Sequence, residues 1–218
     1  MKKFIYNNSL SIVFLLLFAG SFIGQVVFGL EEFNKELAED GSEAIRLQDY
    51  LFSGHFFEAT FENWESEFLQ MGLFVWLTIF LRQKGSSESK QLTGKEAVDR
   101  EPSARRKDAP WPVKRGGFWL EVYRHSLTLV LFLLFVLSFV LHFYGSLKDE
   151  NLCNSLKGKP LVSWGDYLCD SKLWFESFQN WQSEFLSVFA IIALSIYLRQ
   201  QGSSQSKPVD APHYETGE

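Results

Sequence analysis

Phe61-Glu62-Asn63-Trp64-Glu65-Ser66-Glu67-Phe68-Leu69 returns later in the chain as Phe178-Gln179-Asn180-Trp181-Gln182-Ser183-Glu184-Phe185-Leu186. The shift relating the two is 117 positions, and it aligns Ser9–Lys90 with Ser126–Lys207 without a gap, at 31 identities in 82 pairs. Self-similarity at that density marks a duplicated structural unit. Two further matches lie outside the first: Asp49-Tyr50-Leu51 with Asp166-Tyr167-Leu168, and Leu81-Arg82-Gln83-Lys84-Gly85-Ser86-Ser87 with Leu198-Arg199-Gln200-Gln201-Gly202-Ser203-Ser204.

Each copy carries two apolar runs. Leu10–Leu30 has no charged residue and Ser126–Tyr144 has only His142 to titrate. About 20 residues suffice for a helix to cross a hydrocarbon core of ~30 Å at 1.5 Å per residue. The runs Phe68–Leu81 and Phe185–Leu198 are shorter and must borrow residues from the motifs that precede them. A mean hydropathy of −0.05 conceals this alternation of apolar and charged blocks. The first run follows Lys2 and Lys3 like a signal peptide, but no small-x-small site follows it and its counterpart is internal, so retention is expected. The fold class read from these patterns is all-α. It is a polytopic membrane protein with four transmembrane helices, at about 10–30, 64–82, 124–144 and 181–199, arranged as two tandem parallel helical-hairpin repeats. The first repeat covers 1–90, a linker 91–119, the second repeat 120–207 and a tail 208–218.

Basic residues set the expected orientation. The linker region carries clusters such as Arg105-Arg106-Lys107 and Lys114-Arg115, whereas the loop after the first span sets only Lys35 and Arg46 against a run of acids from Glu31 to Asp49. The positive-inside rule then places both termini and the linker in the cytoplasm. From Lys84 to Asp108 the linker is polar enough to be flexible. Pro110-Trp111-Pro112, with Trp119 after it, suits either a headgroup-level segment beside anionic lipid or a rigid lead-in to the third helix.

Asn63, Ser66, Glu67 and Gln70 stand at offsets of 0, 3, 4 and 7, as do Asn180, Ser183, Glu184 and Ser187. At ~100° per residue each set forms one polar stripe. Two readings fit. Glu67 and Glu184 could approach one another and handle a proton or cation, because a carboxylate inside a membrane is costly and tends to serve a function. Alternatively Trp64 and Trp181 anchor the outer interface while the glutamates terminate helices and pack against the neighbouring unit. The stretches Leu51–Phe61 and Leu168–Phe178 read as amphipathic helices on the outer surface or as extensions of the next span, with Gly54 at a natural break. Gln25 and His142, at matching positions, suit polar contacts between helices.

Cys153 and Cys169 share the second outer loop, where an oxidising exterior favours a disulfide. Two cysteines without nearby histidines are too few for a metal site, and the histidines do not pair across the copies as haem ligands would. No cofactor is expected, and no catalytic motif or nucleic-acid-binding surface is legible. The partner expected is the lipid bilayer. The paired motifs suit helix packing, homo-oligomer formation or contact with another membrane component, and a small transporter or proton-coupled device is the alternative.

At residues 61–70, 110–117 (Pro-Trp-Pro-Val-Lys-Arg-Gly-Gly), 178–186 and 198–208 the chain resembles a bacterial membrane family labelled only as a domain of unknown function. The resemblance covers essentially the whole chain and implies a multi-pass protein of the bacterial cytoplasmic membrane, without an activity or catalytic residue to transfer.

Overall fold

The computed structural model describes residues 2–217. Its helices are α1 (Lys2–Asn7), α2 (Ser9–Glu39), α3 (Leu47–Tyr50), α4 (Gly54–Leu77), α5 (Trp111–Arg115), α6 (Gly117–Arg124), α7 (Ser126–Leu156), α8 (Trp164–Leu168) and α9 (Ser171–Tyr197). No strand occurs among the described residues, so the protein is all-α. The residues of α2 and α7 are apolar with good helix formers and no internal proline, and both run past their apolar blocks into the following loops, for 31 residues each. These two are long and apolar enough to cross a membrane. By composition α4 and α9 are not, because their first halves carry acids and amides.

Two expectations for the outer segments are resolved. Residues 54–61 are no separate surface helix but the opening turns of α4, and residues 171–178 likewise open α9. Gly54 does not kink a helix. It starts one, at a place where a Cβ would collide with the backbone of Asp149 and lie 2.7 Å from the Gly145 carbonyl. A Cβ on Gly145 would in turn fall 2.5 Å from the Glu58 nitrogen. Two glycines therefore let α4 and α7 touch backbone to backbone, a closeness that a Cβ at either position would exclude.

The chain divides into two compact units, each drawing on both sequence copies. One contains the chain through Glu62 together with Val140–Leu173. It holds two apolar clusters. Phe33, Leu37, Tyr50 and Phe56 form one, joined by Val26, Leu30 and Ile45, and Phe143, Leu147, Tyr167, Leu173 and Val162 form the other. Leu30 and Leu147, Tyr50 and Tyr167, Phe56 and Leu173, Ile45 and Val162 are pairs under the same 117-residue shift. The tyrosine of each pair is almost fully enclosed, and its hydroxyl is accommodated differently. Ser146 bonds the Tyr167 hydroxyl at 2.6 Å, whereas Gly29, the residue matching Ser146, leaves the space that the Tyr50 hydroxyl occupies.

The loop after the first long helix of each copy is held by one asparagine. Asn34 accepts from the Ile45 N–H at 2.7 Å and donates to the Ile45 carbonyl at 3.2 Å. Asn151 does the same for Val162 at 2.7 and 3.1 Å. A side-chain amide is suited to this because it offers a donor and an acceptor side by side, as a neighbouring strand would.

The second unit contains Asn63–Phe139 and the chain from Trp174 on. In it the motif at the end of each copy builds one kind of cap. Arg82 Nη1 donates to the carbonyls of Thr78, Ile79 and Leu81, and Arg199 Nη1 to those of Ser195, Ile196 and Leu198. The serine seven residues on returns to the start of the motif: Ser89 Oγ accepts from the Gln83 N–H and Ser206 Oγ from that of Gln200, both at 2.9 Å. A helix end leaves up to four carbonyls without intrahelical partners, and a guanidinium placed there answers both the hydrogen-bonding need and the negative end of the dipole.

Candidate functional site

The polar stripes belong to the second unit. On the part of α4 that lies in this unit the buried positions are Glu65, Ser66, Leu69 and Gly72, a sector displaced around the axis from the one the offsets of the stripe suggest. Of the stripe residues, Ser66 is buried and Gln70 half-buried, while Asn63 and Glu67 are exposed. On α9, Asn180 and Glu184 are half-buried and Ser183 and Ser187 exposed. The serine hydroxyls are taken up locally: Ser66 donates to the Asn63 carbonyl, Ser183 to that of Asn180 and Ser187 to that of Glu184, each at 2.8 Å. The carboxylates of Glu67 and Glu184 lie within electrostatic reach of one another.

Glu65 was not singled out by sequence, yet it is the stripe's most enclosed neighbour, at 0% exposure. Its Oε1 accepts from the indole Nε1 of Trp181 at 2.8 Å. The contact joins α4 of the first copy to α9 of the second through the tryptophan of the repeated motif. Trp181 is held edge-on against Phe178 and Phe135, with ring centres 5.3 and 6.3 Å away. Gln182, at the position matching Glu65, is exposed, so the buried arrangement is not duplicated. That mismatch was the available signal, since a carboxylate where the sister copy has an amide suggests a contact made once.

A second charged group lies in the first unit. Lys172 Nζ stands 3.3 Å from Glu58 Oε1 and 3.8 Å from Glu150 Oε2. Asp149 beside them is half-buried, and burial pushes its carboxyl above the usual range, with Glu36 and Glu150 acting in the same sense and His55 and Lys172 opposing. It lies beyond the apolar run that ends at Tyr144. Gln25 on α2 donates to Thr60 Oγ1 on α4 at 3.0 Å, an interhelical polar contact of the kind expected for it.

The anticipated disulfide is not formed. Cys153 and Cys169 are both free thiols: Cys153 sits half-buried on the flank of α7, and Cys169 caps the end of α8, exposed. The helical extension of α7 through Leu156 fixes Cys153 on a rigid element instead of in the loose loop the sequence suggested. The Pro-Trp-Pro segment is the short helix α5. Trp111 and Trp119 meet edge to face at 5.5 Å, the Arg115 guanidinium lies over the Trp111 ring at 5.4 Å, and the two indoles stay 57% and 47% exposed. The linker between has a turn, Ala97–Asp99, in which Asp99 takes an ion pair from Lys90 at 2.6 Å. That contact holds the Asp99 carboxyl below the usual carboxylate range.

A family model described as Domain of unknown function (DUF6766) matches residues 1–218, and the chain belongs to that family. No curated protein and no solved structure matches it.

Proposed function

We propose that this member of the family is a non-enzymatic integral protein of the bacterial cytoplasmic membrane, crossing it four times with both termini inside, and that its repeated motifs serve to dock helices. Helices α4 and α9, at 24 and 27 residues, reach about 36 and 40 Å, enough to cross beside α2 and α7. The distribution of Lys and Arg supports the orientation. Exposed aromatics on α5 and α6 beside Lys114 and Arg115 support an interfacial position next to anionic lipid.

The observation that carries the docking role is the Trp181 to Glu65 hydrogen bond. A carboxylate withdrawn from solvent and held by an indole from another helix fixes the rotation of both helices, because slipping either one would strand a polar group in an apolar setting. The serines of the stripe, satisfied by carbonyls one turn back, are not arranged around a ligand.

One observation favours a second reading, the electrostatic proximity of Glu67 and Glu184. Pyranine-loaded proteoliposomes separate the two. The docking role expects no proton flux above that of empty vesicles and no change with Glu67→Gln/Glu184→Gln, while Trp181→Phe reduces the yield of folded protein. Flux in the wild type that disappears in the double glutamine variant would overturn it in favour of a proton-coupled device.

A further inference from the structure

The two caps are alike in their first three hydrogen bonds and differ in the rest of the guanidinium. Arg199 also donates from Nε to the Pro208 carbonyl at 3.2 Å and from Nη2 to that of Ala211 at 3.1 Å. Its outer edge is therefore closed by the chain folding back after Lys207, a residue 2% exposed whose Nζ donates to the carbonyls of Pro212, His213 and Glu215. After Lys90 the chain instead leaves for the linker, and Arg82 has no such cover. Among the described residues Arg82 donates only through Nη1, so the Nε and Nη2 edge has no protein acceptor.

Arg82 is also one of the residues that line an apolar groove of about 560 Å³. Leu73, Phe74 and Leu77 of α4 form one wall and Phe185, Val188 and Ile192 of α9 the other, with Arg82 and Gln83 at one end and Gln70 at the far end. From Gln70 to Leu77 the α4 wall of the groove covers about 10 Å, a third of a ~30 Å hydrocarbon core. The lining sets Arg82 against Glu88, whose Oε1 accepts from the Ser87 hydroxyl, and Lys84, two residues along the chain from Arg82, is exposed. Asp99, within electrostatic reach of Arg82, is already paired with Lys90. In the second copy Gln201 replaces Lys84.

We propose that this groove holds one anionic phospholipid of the cytoplasmic leaflet, its phosphate on the Nε and Nη2 edge of Arg82 and an acyl chain between α4 and α9. The proposal rests on the membrane reading and orientation above. A guanidinium edge with two parallel N–H groups matches a phosphate diester, and basic sites between membrane helices on the cytoplasmic side are suited to anionic headgroups. A zwitterionic lipid offers the same phosphate but brings a cation against Arg82. The site is asymmetric by construction: the tail gives Arg199 its acceptors and lipid gives Arg82 the corresponding ones.

The test is native mass spectrometry of the full chain in detergent, incubated with equal amounts of dioleoyl-phosphatidylglycerol and dioleoyl-phosphatidylcholine. The wild type is expected to retain the glycerol lipid about tenfold over the choline lipid. Arg82→Gln should bring the two near parity, and Arg199→Gln should leave the preference intact. Val188→Trp, which fills the groove and leaves Arg82 in place, should remove the bound lipid and decides the matter if Arg82→Gln does not fold. Equal retention by the wild type, or a preference surviving Val188→Trp, overturns the proposal. Purification as a detergent-free soluble monomer would instead bring down the membrane reading beneath it.

Discussion

The paired asparagine clamps allow a quantitative test of whether the two sequence copies are structural equivalents. Asn34→Ala removes one hydrogen bond to the Ile45 N–H and one to its carbonyl, and Asn151→Ala removes the corresponding two at Val162. A neutral hydrogen bond contributes a net ~1 kcal/mol, so each substitution should cost about 2 kcal/mol. Both asparagines are half-buried, so water replaces part of what is lost and the cost should not rise far above that. For a chain of this size 2 kcal/mol corresponds to a fall in Tm of roughly 4–8 °C. Asn34→Asp keeps the acceptor for the Ile45 N–H but loses the donor, and turns a carboxylate oxygen toward a carbonyl; it should lose at least half as much. Fluorescence-detected size-exclusion chromatography after heating, on detergent-solubilised protein, gives the three values on one scale. The reasoning is refuted if Asn34→Ala and Asn151→Ala differ by more than about 1 kcal/mol, since their geometries agree to 0.1 Å.

Gly145→Ala places a methyl group against the backbone of Glu58 and should cost about 1–3 kcal/mol or abolish folded yield, while Gly20→Ala, with open space around it, should be neutral or mildly stabilising in the same assay. Lys207→Met deprives three tail carbonyls of their donor and should free residues 208–217, read as faster protease removal of a C-terminal tag; unchanged protection would show that Thr216 and Gly217, bonded to Gly85 and Ser86, hold the tail alone. The Asp99 carboxyl titrates lower in the folded chain than in the unfolded one, so its contribution is present at neutral pH and is lost as pH falls through its folded value. Asp99→Asn should therefore speed tryptic cleavage near Lys90 and Lys95 at neutral pH; equal rates for variant and wild type would remove the turn from the list of ordered elements.

Helical class, the position of the two long apolar helices and the equivalence of matched residues are properties of the sequence, because hydrophobic run length and self-similarity are local and additive along the chain. The capping arginine was also visible as a repeated residue, though not its task. Rotation of a helix is a different kind of quantity. Offsets of 0, 3, 4 and 7 establish that Asn63, Ser66, Glu67 and Gln70 share a sector but not which neighbour that sector meets. Glu65 and Glu67, two positions apart, point about 160° from one another. Only the docked α9, offering the Trp181 N–H, decided that Glu65 is the enclosed one. Gly54 and Gly145 lie far apart in sequence and become partners only where two backbones approach closely enough to exclude a methyl group. The motifs around Arg82 and Arg199, as quoted, differ only at Lys84 and Gln201; what separates the two arginines' bonding is the path of the chain beyond Lys90 and Lys207, and so the carbonyls that come within reach of each guanidinium.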